Sequence, residues 1–103
     1  MDKITALEKA KVYTKLAVEL LQPVKVFLYG SFANGNWHEY SDIDIAFVVK
    51  KLDNGYLETL TMLYNLTWQV DNIIEPSLFI EGKDSSGFLE YIEKYGELLY
   101  KEN

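Results

Sequence analysis

The chain has 103 residues and carries 10 basic against 16 acidic side chains, a net charge of −6. All ten basic residues are lysines, there is no cysteine, and His38 is the single histidine. This excludes broad, unassisted nucleic-acid binding, a disulfide scaffold, thiolate metal sites, a cysteine nucleophile and any poly-histidine metal centre. The length fits one domain over residues 1–103.

Residues 2–21 read as a helix, with Leu7, Ala10, Thr14, Ala17, Val18 and Leu21 recurring at helical steps. Asp2 caps its start and Pro23 follows its end. Val24 to Tyr29 is a β-branched and aromatic run, a strand that stops at Gly30-Ser31. Residues 34–41 are rich in turn formers and read as a loop. Asp42 to Val49 is a second strand, ended by Lys50-Lys51 and the Asp53-Asn54-Gly55 turn. Residues 56–68 read as helix, with Leu57, Leu60, Tyr64 and Thr67 on one side. A third strand runs from about Asn72 to Ile80, and Pro76 inside it marks an edge or a bulge. Gly82 to Gly87 is a polar loop. Residues 88–95 read as a helix with Phe88, Tyr91, Ile92 and Tyr95 as its face, ended by Gly96. Glu97 to Tyr100 adds a short extended tail. The expected order is α-β-α-β-α-β-α, an α/β fold with a small mixed sheet and helices packed on it. No apolar run approaches the ~20 residues that span a bilayer. The charged N-terminus lacks an apolar signal core, so a cytoplasmic protein is expected.

The chemistry concentrates between residues 29 and 47. A glycine at the end of a strand permits unusual backbone angles. If a helical turn starts at Ser31, its free amides and hydroxyl suit a phosphate chain. The Walker A ending and the Gly-x-Gly-x-x-Gly fingerprint are both missing. In Asp42-Ile43-Asp44 the two carboxylates lie two residues apart and share a strand face. Such a pair raises one pKa unless a cation sits between them, and hard oxygen ligands suit Mg2+. Ten residues separate Ser31 from Asp42. A chance match to Gly-Ser, ten residues, Asp-x-Asp in so short a chain is on the order of one in a thousand.

Gly30-Ser31-Phe32-Ala33-Asn34-Gly35 followed by Ser41-Asp42-Ile43-Asp44-Ile45 resembles the signature of the DNA polymerase β-like nucleotidyltransferase superfamily. The short chain is similar to its minimal nucleotidyltransferase branch, whose members often act as antitoxins beside a helical HEPN-domain toxin. The resemblance implies the polymerase β-like fold, with Gly30 and Ser31 binding the triphosphate of ATP or another nucleotide. It implies that Asp42 and Asp44 hold two Mg2+ ions. It also implies a third carboxylate from a neighbouring strand, which completes the metal site and helps deprotonate the attacking hydroxyl. Asp71 and Glu75 are the candidates; Glu75, set between apolar neighbours where a charge needs a partner, is preferred. Many relatives carry a basic residue where Asn34 stands, and Lys25, Lys50, Lys51 or a partner protein are the candidates to replace that charge.

Other residues have plainer readings. His38 reads as a solvated loop histidine, Trp37 as a packing residue or a base-stacking one, and Lys50-Lys51 as a strand end. Eight tyrosines and two tryptophans are many for this length. Core packing accounts for most, and an exposed aromatic patch would suit a protein interface. The expected activity is Mg2+-dependent transfer of AMP from ATP to a protein hydroxyl. The resemblance points to a tyrosine of a HEPN toxin as acceptor, in the manner of a type VII-like antitoxin. One alternative is a non-catalytic module that neutralises a helical toxin by steric blocking. Another is a small-molecule transferase of the aminoglycoside type, whose relatives usually carry an extra helical domain. No direct nucleic-acid or membrane partner is expected.

Overall fold

The computed structural model describes all 103 residues. Helix α1 spans Lys3–Leu21, strand β1 Lys25–Tyr29, the short α2 Ser31–Asn34, and β2 Ile43–Val49. They are followed by α3 (Tyr56–Thr67), β3 (Ile74–Ile80), α4 (Phe88–Tyr95) and β4 (Glu97–Lys101). The expected α1 cap is present: the Asp2 carboxylate accepts from the Thr5 amide at 2.8 Å. Gln22 adopts a left-handed conformation and returns its amide to the Val18 carbonyl before Pro23.

The four strands form one mixed sheet in the order β3-β2-β1-β4. β1 pairs antiparallel with β2 and β4, while β2 and β3 run parallel, joined through α3. Pro76 therefore sits on an edge strand, as its missing N–H requires. The extended stretch expected after Gly96 is a strand that closes the other edge against β1. A Cβ on Gly96 would press into the carbonyls of Ile92 and Leu28, so glycine is what lets α4 turn into β4 at that closeness.

Side chains alternate across the sheet and separate two cores. On one face Val26, Leu28, Ile43, Ile45, Phe47 and Val49 meet α1 and α3. Tyr13 is fully buried there; its hydroxyl donates to the Leu63 carbonyl at 2.7 Å and its ring meets Phe47 edge-on. On the other face Phe27, Ala46 and Val48 meet Leu89 and Ile92 of α4, with Tyr29 and Phe79 packed at the margin. This second face is thinly covered and stays open towards the ends of β2 and β3 that carry Asp44 and Glu75.

Two helix faces differ from the sequence expectation. α3 buries Thr59, Leu63, Leu66 and Thr67, whereas Leu57 is 74% and Tyr64 43% exposed. α4 buries Leu89 and Ile92 and turns Phe88, Tyr91 and Tyr95 outward. In a helix of eight residues over a small core, two aliphatic side chains fill the contact and the bulky rings are left at its flank. No helix is long and apolar enough to cross a membrane.

Candidate active site

β1 ends at Tyr29, and Gly30 turns the chain with φ +74° and ψ −154°, a region that favours glycine. The Gly30 carbonyl accepts from the Ala33 and Asn34 amides, each at 3.1 Å. The amides of Ser31 and Phe32 belong to a first helical turn and have no intrahelical acceptor. A Cβ built on Gly30 would collide with the Asp44 Oδ2 atom. The turn and the β2 carboxylate are thus packed against each other, which explains in space the spacing seen in sequence.

Asp44 lies opposite Tyr29 on one side and Glu75 on the other. Partners in register share a sheet face, so the row Tyr29, Asp44, Glu75 crosses three strands on the open face. Asp42 precedes β2 and is exposed; Asp44 is half-buried; Glu75 is exposed. Glu75 does lie between apolar neighbours in the chain, but they do not bury it. Ile74 and Pro76 point into the opposite core, and Glu75 alone faces outward beside Asp44. Burial, then the charges of Glu75 and Asp42, push the Asp44 carboxyl up to about 6.

Asp71 is committed elsewhere. It accepts from Lys9 Nζ at 2.6 Å and from the Ile73 amide at 3.0 Å. Burial opposes its ionisation, but these bonds and the Lys9 charge hold its carboxyl below the usual value. The lysines considered as substitutes for a base at Asn34 lie at the wrong end of the sheet. Lys25 pairs in register with Val48, and Lys50 follows Val49, about 20 Å along β2 from Asp44 at ~3.3 Å per residue. Lys25 and Lys50 are also paired with Glu93 and Glu102. His38 is exposed, and its Nδ1 accepts from the Tyr40 amide at 3.1 Å. Together with the Ser41 hydroxyl, which accepts from the His38 amide, it shapes the loop before Asp42. Trp37 stacks on buried Phe32, which fits the packing reading.

Three features escaped the sequence reading. The Tyr29 hydroxyl shares a 2.8 Å hydrogen bond with Ser77 Oγ, reaching from β1 to β3 across β2, where Ala46 leaves room. Phe88 packs edge-on against Tyr29 and continues through Tyr91 to Tyr95 as a ladder of rings. This ladder faces Gly30, Ala33 and Asn34 across a hollow of about 180 Å³. Finally, Tyr64 sits at the rim of the carboxylates: burial, then Glu75, Asp44 and Asp42, raise its phenol. A helical wheel cannot show that α3 brings Tyr64 beside β3.

The oxygen-only donor set of Asp42, Asp44 and Glu75 fits a hard divalent cation. The raised Asp44 pKa, set first by burial and then by the charges of Glu75 and Asp42, marks a cost to the carboxylate that such an ion would relieve. No three acidic or histidine side chains are already gathered at metal-holding distances, so the carboxylates would close in to hold an ion.

The small α+β fold is shared with solved structures. A “putative nucleotidyltransferase” from Sulfolobus solfataricus superposes with a TM-score of 0.68 at 23% identity, covering 96% of this chain and 83% of that one. Two toxin–antitoxin structures, a mutant of MntA-HpeT and a complex with AMP-PNP, give TM-scores of 0.63 and 0.65 at 21% and 23% identity. Each covers 90% of this chain and 74% of its own. A “putative protein adenylyltransferase” of Methanocaldococcus jannaschii is 28% identical over 76 residues, 70% of this chain and 74% of that protein. The polymerase beta nucleotidyltransferase family model matches residues 9–103. The chain therefore belongs to the polymerase beta nucleotidyltransferase family, and its enzyme class is nucleotidyl transfer.

Proposed function

We propose that the whole chain, residues 1–103, is one Mg2+-dependent protein adenylyltransferase domain that moves AMP from ATP onto a hydroxyl of a partner protein. The observation that carries this reading is the packing of Gly30 on Asp44, with Glu75 in register beside it on an open sheet face. Ser31 and the first-turn amides of α2 would take the triphosphate. The hollow beside Gly30 would seat the nucleoside against Tyr91 and Tyr95. Asp42, Asp44 and Glu75 would hold two Mg2+ ions, which when bound supply charge neutralisation for the triphosphate and the departing pyrophosphate. The acceptor hydroxyl gives its proton to Glu75, its oxygen bonds to the α-phosphorus, and the bond from that phosphorus to the bridging oxygen breaks. The products are an AMP ester and pyrophosphate.

The acceptor in this reading is a tyrosine of a HEPN-domain toxin, and its modification silences the toxin. The sequence resemblance to the minimal nucleotidyltransferase branch supports this, as does the fold shared with toxin–antitoxin structures. The relative called a protein adenylyltransferase supports AMP as the group moved.

The test is incubation of the purified chain with Mg2+ and α-labelled ATP in lysate of its own host, beside an Asp42→Asn, Asp44→Asn control. A discrete protein band labelled only by the wild type is expected. No label in either lane, with the partner shown to be present and unmodified, overturns transfer. If the double variant then still neutralises the toxin, steric blocking takes its place.

A further inference from the structure

Leu57, Thr61, Tyr64 and Trp68 recur at steps of four, three and four residues along α3 and its cap, so they line one helix face. That face is turned to solvent: Leu57 is 74% exposed, Tyr64 43% and Trp68 75%. A tryptophan, a tyrosine and a leucine left in water in one stripe are the composition of a binding surface. The C-terminal end of the stripe lies at the sheet end that carries the carboxylates, because α3 packs on β3, ends at Thr67 and is followed after a short turn by Ile74 and Glu75. Its flanks are mostly acidic, although Lys83 stands beside Tyr56 at the start of α3. From Leu52 to Gly82 there is no lysine, arginine or histidine, while Asp53, Glu58, Asp71, Glu75 and Glu81 are all acidic. Of these, only Asp71 is neutralised, by Lys9 from α1. The exposed apolar residues of α1 offer no such surface, since Lys11 and Lys15 are interleaved with Val12.

We infer that the exposed face of α3 is where the acceptor protein docks, through a surface whose apolar ridge covers Leu57, Tyr64 and Trp68 and whose flanks carry lysine or arginine. This deepens the adenylyl-transfer reading and rests on it. The complementarity follows from charge: an acidic rim around an apolar stripe selects a basic rim around an apolar ridge and steers its approach. A second copy of this chain, also at −6, is repelled. Docking there brings an acceptor hydroxyl in from the Glu75 side. It also brings cationic groups to a site whose own candidate lysines stand at the far end of the sheet.

The experiment compares wild type, Leu57→Ala/Trp68→Ala and Thr61→Lys in the labelled-ATP lysate assay, with Val12→Ala as the surface control. Thr61 is exposed and lysine is a good helix former, so that variant keeps its fold while placing a cation in the stripe. Expected is a drop of about tenfold or more in acceptor labelling for both stripe variants. Calorimetric Mg2+-ATP binding and far-UV circular dichroism should stay unchanged, and Val12→Ala should label as wild type does. Wild-type labelling should also fall as salt is raised. Equal labelling by wild type and Thr61→Lys overturns the docking site and leaves adenylyl transfer standing. Absence of label with the wild type overturns the transfer reading and this inference with it. A wild-type dimer that Thr61→Lys dissociates makes the stripe a self-contact and also overturns the inference.

Discussion

Gly30 is constrained twice, by a positive φ and by the Asp44 carboxylate lying where a Cβ would go. Gly30→Ala should therefore cost about 1–3 kcal/mol in stability and displace Asp44. Urea melts and transfer assays on the same preparation check this, and activity should fall by more than the loss of folded protein accounts for. Asp44 gives a pH prediction. Its folded pKa of about 6 lies above the ordinary 3.8, so the fold holds this proton more tightly than the unfolded chain does. Its contribution to stability thus falls as pH rises from about 4 to about 6 and stays low above that. Without divalent metal, Asp44→Asn should be more stable than wild type by ~1–2 kcal/mol at about pH 7.5 and equal to it below about pH 4. Urea melts in chelator at the two pH values measure the difference, and added Mg2+ should shrink it at the higher pH.

At the scale of elements, the start of β3 sets apart the proposed working carboxylate, Glu75, from a structural one, Asp71, four residues earlier in the chain. Glu75→Gln should cut transfer by about 10²–10⁴-fold while leaving the melting curve unchanged. Asp71→Asn should instead cost roughly 0.5–1.5 kcal/mol, through the Lys9 pair and the Ile73 amide, with near wild-type transfer. A reversal of these two phenotypes would move the site to Asp71. On α4, Tyr91→Ala removes a ring from the wall of the hollow by Gly30. The KM for ATP should rise about fivefold to tenfold with little change in kcat, because stacking acts on ground and transition states alike. The α3 and α4 faces were the least legible parts of the sequence. Their aromatic residues follow helical spacing as well as the true core residues do. What decides is the thin core under α4 and the neighbouring β3 beside α3, both set by contacts distant in sequence.

Across the whole molecule, the legible features were those encoded locally. The apolar run that follows Asp42, the stop at Gly30-Ser31 and the proline on an edge strand each have a short-range cause. The match of the Gly-Ser turn to Asp44 was legible as a spacing, and the structure shows the contact that enforces it. The pairing of β4 with β1, the exposure of Glu75 and the tether of Asp71 to Lys9 were not, because each depends on a partner strand or helix that no window contains. The distribution of charge belongs to this scale too. A chain of net charge −6 without arginine leaves its candidate lysines far from Asp44, so in the proposed reaction bound cations and a cationic partner would offset the charge of the triphosphate. The most direct measurement is the rate of α-label transfer from ATP to the acceptor identified in host lysate, using wild type, Asp42→Asn/Asp44→Asn and Asp71→Asn side by side. Mg2+-dependent transfer by wild type and Asp71→Asn, with a loss of about a thousandfold or more in the double variant, is expected for carboxylate-centred catalysis. Transfer that survives the double substitution would contradict it.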